Sequence, residues 1–488
     1  MLVEIFNTHA VLNTDDDDLF AELRTFFSIT DRKFNPRAGH FDELTCFILP
    51  DGTIPIGLLS DGLEHLAKLE VEYEIQDYRR NIAKFDQDKL RAKDKPFGSM
   101  LEHQAEALIT YAERLTTADF KESAIFDHAT NSGKSYIIAA LLDALVEGHA
   151  FVVVHDSTLY LQLIEFLTNA GFQVGYLRGQ QVIPGDVIVC MYKSMINRFN
   201  EIEPTLAWLI SEATLLIVDE CHRAAGNEYY MLINSLGVAT RIGFSGTPFA
   251  MKSNLGKIRV MGCFGDIAHR VSAIYLNQAG INAKMKVELL LHTAPLPPGL
   301  KGDMDYHEVY RANIIESVDR LNLIVKTVAI NTGNIMITVN ELSHAALIYD
   351  ALIERFPDDE IIALVGGRSE VDLAALKSKF SKSTNKRVVL ITTIWQEGAN
   401  IAMDVLIYAQ GGASEIELTQ YVGRIGRLTA PIKHIYDFYD YGKFAEPHSN
   451  ERIAIYEKLG LEIKATYEVK AGTYEPSMAA KFKNIKLF

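Results

Sequence analysis

Two short groups of residues in this chain carry the chemistry of phosphoryl transfer. The first is His128-Ala129-Thr130-Asn131-Ser132-Gly133-Lys134-Ser135. The apolar run Tyr136 to Leu142 follows it, and Ala124-Ile125-Phe126-Asp127 precedes it as a short buried strand. A strand, a tight loop and a helix opening on Gly-Lys-Ser make a phosphate cradle, since N–H groups at a helix start point at an anion and the helix dipole adds positive charge. Lys134 can then reach the β- and γ-phosphates, and the Ser135 hydroxyl can take a Mg²⁺ position. His128 stands where the first glycine of the usual pattern is expected, and a bare Gly-Lys-Ser also opens ordinary helices. The second group is Asp219-Glu220-Cys221-His222, directly after the apolar strand Leu215 to Val218. Asp219 can hold Mg²⁺ through its water shell. Glu220 is placed to orient and deprotonate an attacking water.

Two further groups fit the same chemistry. Ser245-Gly246-Thr247-Pro248 ends another apolar strand, where the Ser245 and Thr247 hydroxyls can relay the state of a γ-phosphate. As an isolated sequence it also reads as a plain turn. In Gln420-Tyr421-Val422-Gly423-Arg424-Ile425-Gly426-Arg427, the two arginines are three apart and project from one helical face. Guanidinium forks match phosphate oxygens, and such fingers supply on the order of 10³–10⁵ in rate.

The elements that must position these groups belong to an α/β chain. Apolar runs at Phe151–Val154, Val187–Cys190, Leu215–Val218 and Arg241–Phe244 alternate with helical stretches, and a second set lies at Ile335–Val339, Ile361–Val365, Arg387–Ile391 and Val405–Tyr408. Continuous β-branched runs between helices indicate parallel sheets buried on both faces. Residues 1–95 read as a small α+β domain: strand Leu2–Leu12, helix Asp16–Ser28, strand Phe41–Leu49, helix Leu63–Leu69, strand Val71–Ile75, then a charged linker over Asp77–Phe97. Domains are expected at 96–272 and 310–445, joined by an irregular connector at 273–309 and followed by an extension at 446–488.

The chain has 488 residues and a formal net charge of −15. That balance argues against nonspecific coating of nucleic acid but leaves room for a local basic groove. The basic cluster Arg79-Arg80, Lys84, Lys89, Arg91, Lys93, Lys95 reads equally as a solvated linker and as a nucleic-acid contact. No apolar run approaches the ~18 residues of a membrane span, and the first residues lack a signal segment. The cysteines Cys46, Cys190, Cys221 and Cys263 form no close pair, which fits a reducing, cytoplasmic setting.

The order Gly-Lys-Ser, Asp-Glu-Cys-His, Ser-Gly-Thr, Gln-x-x-Gly-Arg-x-x-Arg resembles superfamily 2 helicases of the DExH type. The resemblance implies two RecA-like parallel-sheet domains in tandem, with ATP and Mg²⁺ between them. Thr130, Asn131, Ser132, Gly133, Lys134 and Ser135 would hold the nucleotide, and Ser135 and Asp219 the metal. Glu220, Arg424 and Arg427 would be catalytic, while His222, Ser245, Thr247 and Gln420 would couple the domains. Gln104 matches the family's adenine-reading glutamine, and Gly398, in Glu397-Gly398-Ala399-Asn400-Ile401, falls in a motif V that carries Asn400 where Asp is common. Ser157 (motif Ia, with His155 in place of the usual Pro), Lys193, Ser194 and Thr393 match positions that contact nucleic acid.

Glu22 to Phe27, Phe34-Asn35-Pro36-Arg37 and Pro55 to Leu58 resemble the substrate-recognition domain of phage recombination helicases. This adds Arg24, Lys33 and Arg37 as DNA contacts. The implied partner is branched or forked DNA, with RNA–DNA hybrids as a further substrate, acted on by a monomer in a host cytoplasm. An RNA helicase and an ATP-switched binding module are the competing expectations.

Overall fold

A computed structural model of the chain describes residues 1–35, 39–117, 119–155, 157–178, 181–199, 204–292, 306–364, 388–392, 403–426, 432–442 and 444–466. The chain divides into two units, Met1–Ser272 and Ala273–Phe488.

In the first unit, Ala124–His128, His149–Val154, Val187–Met191, Ala213–Asp219 and Thr240–Ser245 centre on apolar residues, so each forms a strand buried on both faces. They lie in an eight-stranded sheet that runs from Gln181–Ile183 through Val174–Arg178, Val187–Met191, His149–Val154, Ala213–Asp219, Thr240–Ser245 and Ala124–His128 to Ile267–Val271. All neighbours are parallel except the edge pair Val174–Arg178 and Gln181–Ile183. The stacked rings of Phe126 and Phe244, 5.0 Å apart, join two central strands beneath the helices. Each fully buried Ile, Leu or Phe here stabilises the fold by about 1.5–3 kcal/mol. The register brings Asp219 beside Phe244 and Ser245 beside Asp127, so the phosphate loop, the acidic pair and Ser-Gly-Thr emerge at one sheet edge. Carboxyl ends of parallel strands are where such sheets bind ligands.

The N-terminal region departs from its expected elements. The single strand expected over Leu2–Leu12 is a tight antiparallel pair, Leu2–Ile5 with His9–Asn13. Helix Asp17–Phe26 follows, capped by the Asp16 carboxylate, which accepts from Asp18 N–H and Leu19 N–H. Strand Ser28–Asn35 was not expected. It pairs with Gly39–Cys46 as a separate hairpin, and its polar sequence has no apolar alternation to reveal it. The charged linker is also folded: helix Gln87–Arg91 buries Leu90, and Phe85 packs in the core beside Tyr111. Three of its basic residues make ion pairs within the fold. Arg79 pairs with Asp77 and Glu122, Lys84 with Glu147, Lys89 with Asp143.

In the second unit a seven-stranded, wholly parallel sheet runs from Glu360–Leu364 through Val388–Thr392, Asn334–Thr338, Val405–Tyr408, Ile432–Asp440 and Lys284–His292 to Glu462–Thr466. The expected connector therefore contains a full strand, Lys284–His292, that pairs with Ile432–Asp440. The expected extension supplies helix Ala445–Lys458 and the edge strand Glu462–Thr466. Buried charges fasten this side of the sheet. Arg452 donates to Asp437 at 2.9 Å, and Tyr456 donates to the same carboxylate at 2.9 Å. Asp440 binds His292 at 2.8 Å and Arg320 at 3.1 Å.

Candidate nucleotide site and its relatives

The phosphate loop lies between strand Ala124–His128 and helix Lys134–Ala144. Asn131 (φ 70°) and Gly133 (φ 77°) are left-handed, which curls the backbone N–H groups toward one side as anion-binding loops require. The helix starts with no side-chain cap, so its first N–H groups are not consumed by a serine or aspartate of its own. Lys134 is folded over the loop and donates to the His128 carbonyl at 3.3 Å. Ser132 is buried, and its Oγ has no hydrogen-bond partner among the described residues. An uncapped helix start, two left-handed loop residues, a lysine and an orphaned hydroxyl fit a bound phosphate chain.

The acidic pair lies at the end of strand Ala213–Asp219. Asp219 is buried at the end of its strand, and burial together with the Glu220 charge raises its pKa to about 6. Glu220 adopts a left-handed backbone (φ 52°), a strained conformation for this residue type. Burial alone would raise its pKa. The His222 hydrogen bond and the Lys134 and Arg223 charges outweigh that and hold the carboxylate ionised. His222 Nδ1 is 3.2 Å from Glu220 Oε2 and 3.0 Å from Ser245 Oγ. Ser245 Oγ also accepts from Thr247 N–H at 3.1 Å. A Cβ on Gly246 would lie 3.1 Å from the His128 carbonyl, so the Ser-Gly-Thr segment rests directly against the phosphate loop. Glu220, His222, Ser245 and the loop thus form one connected set. Ser135 and Asp219 are the residues that would hold Mg²⁺. An ion that keeps several waters needs few protein ligands.

Other expected residues fare differently. Gln104 does not present a free amide to a base: it is 3% exposed, donates to the Ser132 carbonyl at 2.8 Å and accepts from Leu101 N–H at 2.9 Å. The structure makes it a brace of the phosphate loop, shared with His103 Nε2, 2.8 Å from the same carbonyl. His103 was not anticipated. Its adjacency to Gln104 on helix Glu102–Thr117 was the available signal. His128, which stands in place of the usual glycine, is fully buried, with its Nε2 3.0 Å from His269 Nδ1.

Lys193 is exposed and Ser194 half-buried on helix Tyr192–Phe199. Ser157 begins helix Ser157–Asn169. Arg24 is exposed on helix Asp17–Phe26, and Lys33 lies in strand Ser28–Asn35. In the second unit Gln420 and Arg424 are half-buried on helix Glu415–Ile425. That helix ends at Ile425. Arg37, Thr393, Gly398 and Arg427 lie outside the described residues.

Two mainly parallel sheets in tandem, with a phosphate loop, an Asp-Glu-Cys-His strand end and a Ser-Gly-Thr segment converging in the first, match the tandem RecA-like fold of superfamily 2 helicases, preceded by a small α+β domain. Comparison with known proteins agrees. Residues 98–250 match the family described as type III restriction enzyme, res subunit. Over 330 residues the chain is 24% identical to "Putative helicase 22" of Sulfolobus islandicus filamentous virus, covering 62% of this chain and 57% of that protein's length. S. cerevisiae Dbp5 bound to RNA and ADP BeF3 superposes with a TM-score of 0.52 at 13% identity, over 78% of this chain and 96% of that one. The UvsW protein of phage T4 matches with 19% identity over 95% of this chain and 99% of its own, at a TM-score of 0.42.

Proposed function

We propose that the protein is an ATP-driven helicase that remodels branched DNA, moving junctions and regressing forks, with RNA–DNA hybrids as a further substrate. The observation that carries the hydrolytic part is the Glu220–His222–Ser245 set beside the phosphate loop. A binding module that uses ATP only as a switch does not need an ionised, oriented Glu220. In this reading the loop N–H groups and Lys134 hold the β- and γ-phosphates, and Glu220 takes a proton from the attacking water. Mg²⁺, held by Ser135 and Asp219, would neutralise developing charge on the phosphates. Arg424 and Arg427 would stabilise the transferred phosphoryl. His222 and Gln420 would couple hydrolysis to strand movement. Ser157, Lys193, Ser194 and Thr393 would grip strand phosphates without reading sequence. Arg24, Lys33 and Arg37 would meet the branch.

The preference for DNA comes from the likeness of the N-terminal residues to phage recombination helicases. The motor fold itself is shared with RNA-bound Dbp5, so an RNA substrate is the second reading. Lys134→Ala tests the site directly. Loss of the cation on the β/γ-phosphates is expected to abolish ATP hydrolysis, and undiminished turnover in that variant would refute the assignment.

A further inference from the structure

Among the described residues the hairpin Ser28–Asn35/Gly39–Cys46 pairs with no other strand, and a lone two-stranded hairpin is marginal in water. It is held from one face. The Asp31 carboxylate accepts from Asn254 N–H at 2.9 Å and Leu255 N–H at 3.3 Å, and also from the Ser253 hydroxyl. Ser253 Oγ in turn accepts from Gly256 N–H at 3.2 Å. The first N–H groups of helix Asn254–Phe264 are therefore satisfied jointly by its own cap and by an aspartate from another sheet.

Alternation along the hairpin puts Thr30, Arg32, Asp42 and Leu44 on the opposite face, where all are exposed, Leu44 by 69%. The same helix is gripped further along by the N-terminal domain. A Cβ on Gly57 would collide with the Met261 carbonyl, and Gly262 lies against Pro55. The helix begins shortly after Ser245–Pro248, and Ala250 N–H donates back to the Thr247 carbonyl. Contacts thus run from Glu220 through His222 and Ser245 to Thr247 and Ala250, and a short length of chain, residues 251–252, joins that turn to the helix start held by Asp31.

We propose that Asp31 is a positioning residue that delivers nucleotide-dependent movement of the Ser245–Pro248 segment to the hairpin, so that the hairpin's outward face shifts with each hydrolytic cycle. This rests on the helicase reading above. The test compares the full-length protein with Asp31→Ala, Asp31→Asn and Ser253→Ala. Three quantities are read: ATP hydrolysis stimulated by single-stranded DNA, junction product formed per ATP hydrolysed, and amide exchange across residues 28–35 with and without a non-hydrolysable ATP analogue.

Asp31→Ala is expected to keep hydrolysis close to wild type, to lose severalfold in product per ATP, and to lose the analogue-dependent change in hairpin exchange. Asp31→Asn keeps only one of the two acceptor oxygens that Asn254, Leu255 and Ser253 share, and is expected to fall between wild type and Asp31→Ala in both readouts. Ser253→Ala removes one of the same contacts and is expected to move both readouts in the same direction, which keeps the test open should Asp31→Ala fold poorly. Wild-type coupling and hairpin exchange in Asp31→Ala would overturn the proposal. A wild-type protein whose hairpin responds to the analogue but which processes no junction would sink the helicase reading and leave the Asp31 linkage standing.

Discussion

At the scale of single residues, the site turns on side chains whose charge state is fixed by neighbours. Glu220 is kept ionised by His222, Lys134 and Arg223 against the effect of burial, and His222 ties it to Ser245. His222→Ala is expected to leave ATP binding intact while lowering DNA movement per ATP hydrolysed. A variant that moved DNA with wild-type efficiency would remove His222 from the coupling path.

His128 makes a second residue-level prediction. Burial, then the His269, Lys134 and His103 charges, lower its pKa from 6.5 to about 2. The folded state thus keeps it neutral, while the unfolded chain takes up a proton below pH 6.5. Its contribution to stability is intact above that pH and falls by about 1.4 kcal/mol for each unit below it. Denaturation midpoints measured between pH 7.5 and 5.5 should fall less steeply in His128→Asn than in the wild type, and equal slopes would contradict the neutral, buried imidazole. The phosphate loop and acidic pair were legible because their chemistry is local in sequence. The Gln104 amide was not, because adenine reading and loop bracing use the same residue type, and only the position of the Ser132 carbonyl decides between them.

At the scale of elements, central strands announce themselves and supporting ones do not. The runs at 213–219 and 240–245 are wholly buried, and their apolar centres Leu215–Val218 and Ile242–Phe244 reveal them in the sequence. Lys284–His292 alternates charged with apolar residues beside a proline-rich stretch, and read as a connector. Its place in the sheet depends on pairing with Ile432–Asp440, far along the chain. The buried pair Asp437–Arg452 fastens helix Ala445–Lys458 to that strand, with both side chains 1% exposed. Asp437→Ala would strand the guanidinium without its partner and is expected to cost about 3–5 kcal/mol. A loss below about 1 kcal/mol by chemical denaturation, the range of exposed pairs, would show that the pair is not buried in solution.

At the scale of the whole molecule, net charge and function pull in different directions. A chain at −15 must bring phosphate-binding groups together locally, and the loop, Lys193 and Arg24 are the groups proposed for that role. Much of the basic stretch at 79–95 is already spent on internal ion pairs, which removes it from the contact surface that charge counting alone would suggest. Among the described residues no helix is long and apolar enough to cross a membrane.

The most direct test of the account is ATP hydrolysis and strand products on a synthetic four-way DNA junction, measured beside single-stranded DNA, plain duplex and RNA. The account predicts turnover stimulated most by the junction, paired branch-migrated products, and binding that weakens with salt at a slope of about −0.9 per duplex phosphate neutralised. Turnover stimulated best by RNA, with the junction left unprocessed, would contradict it.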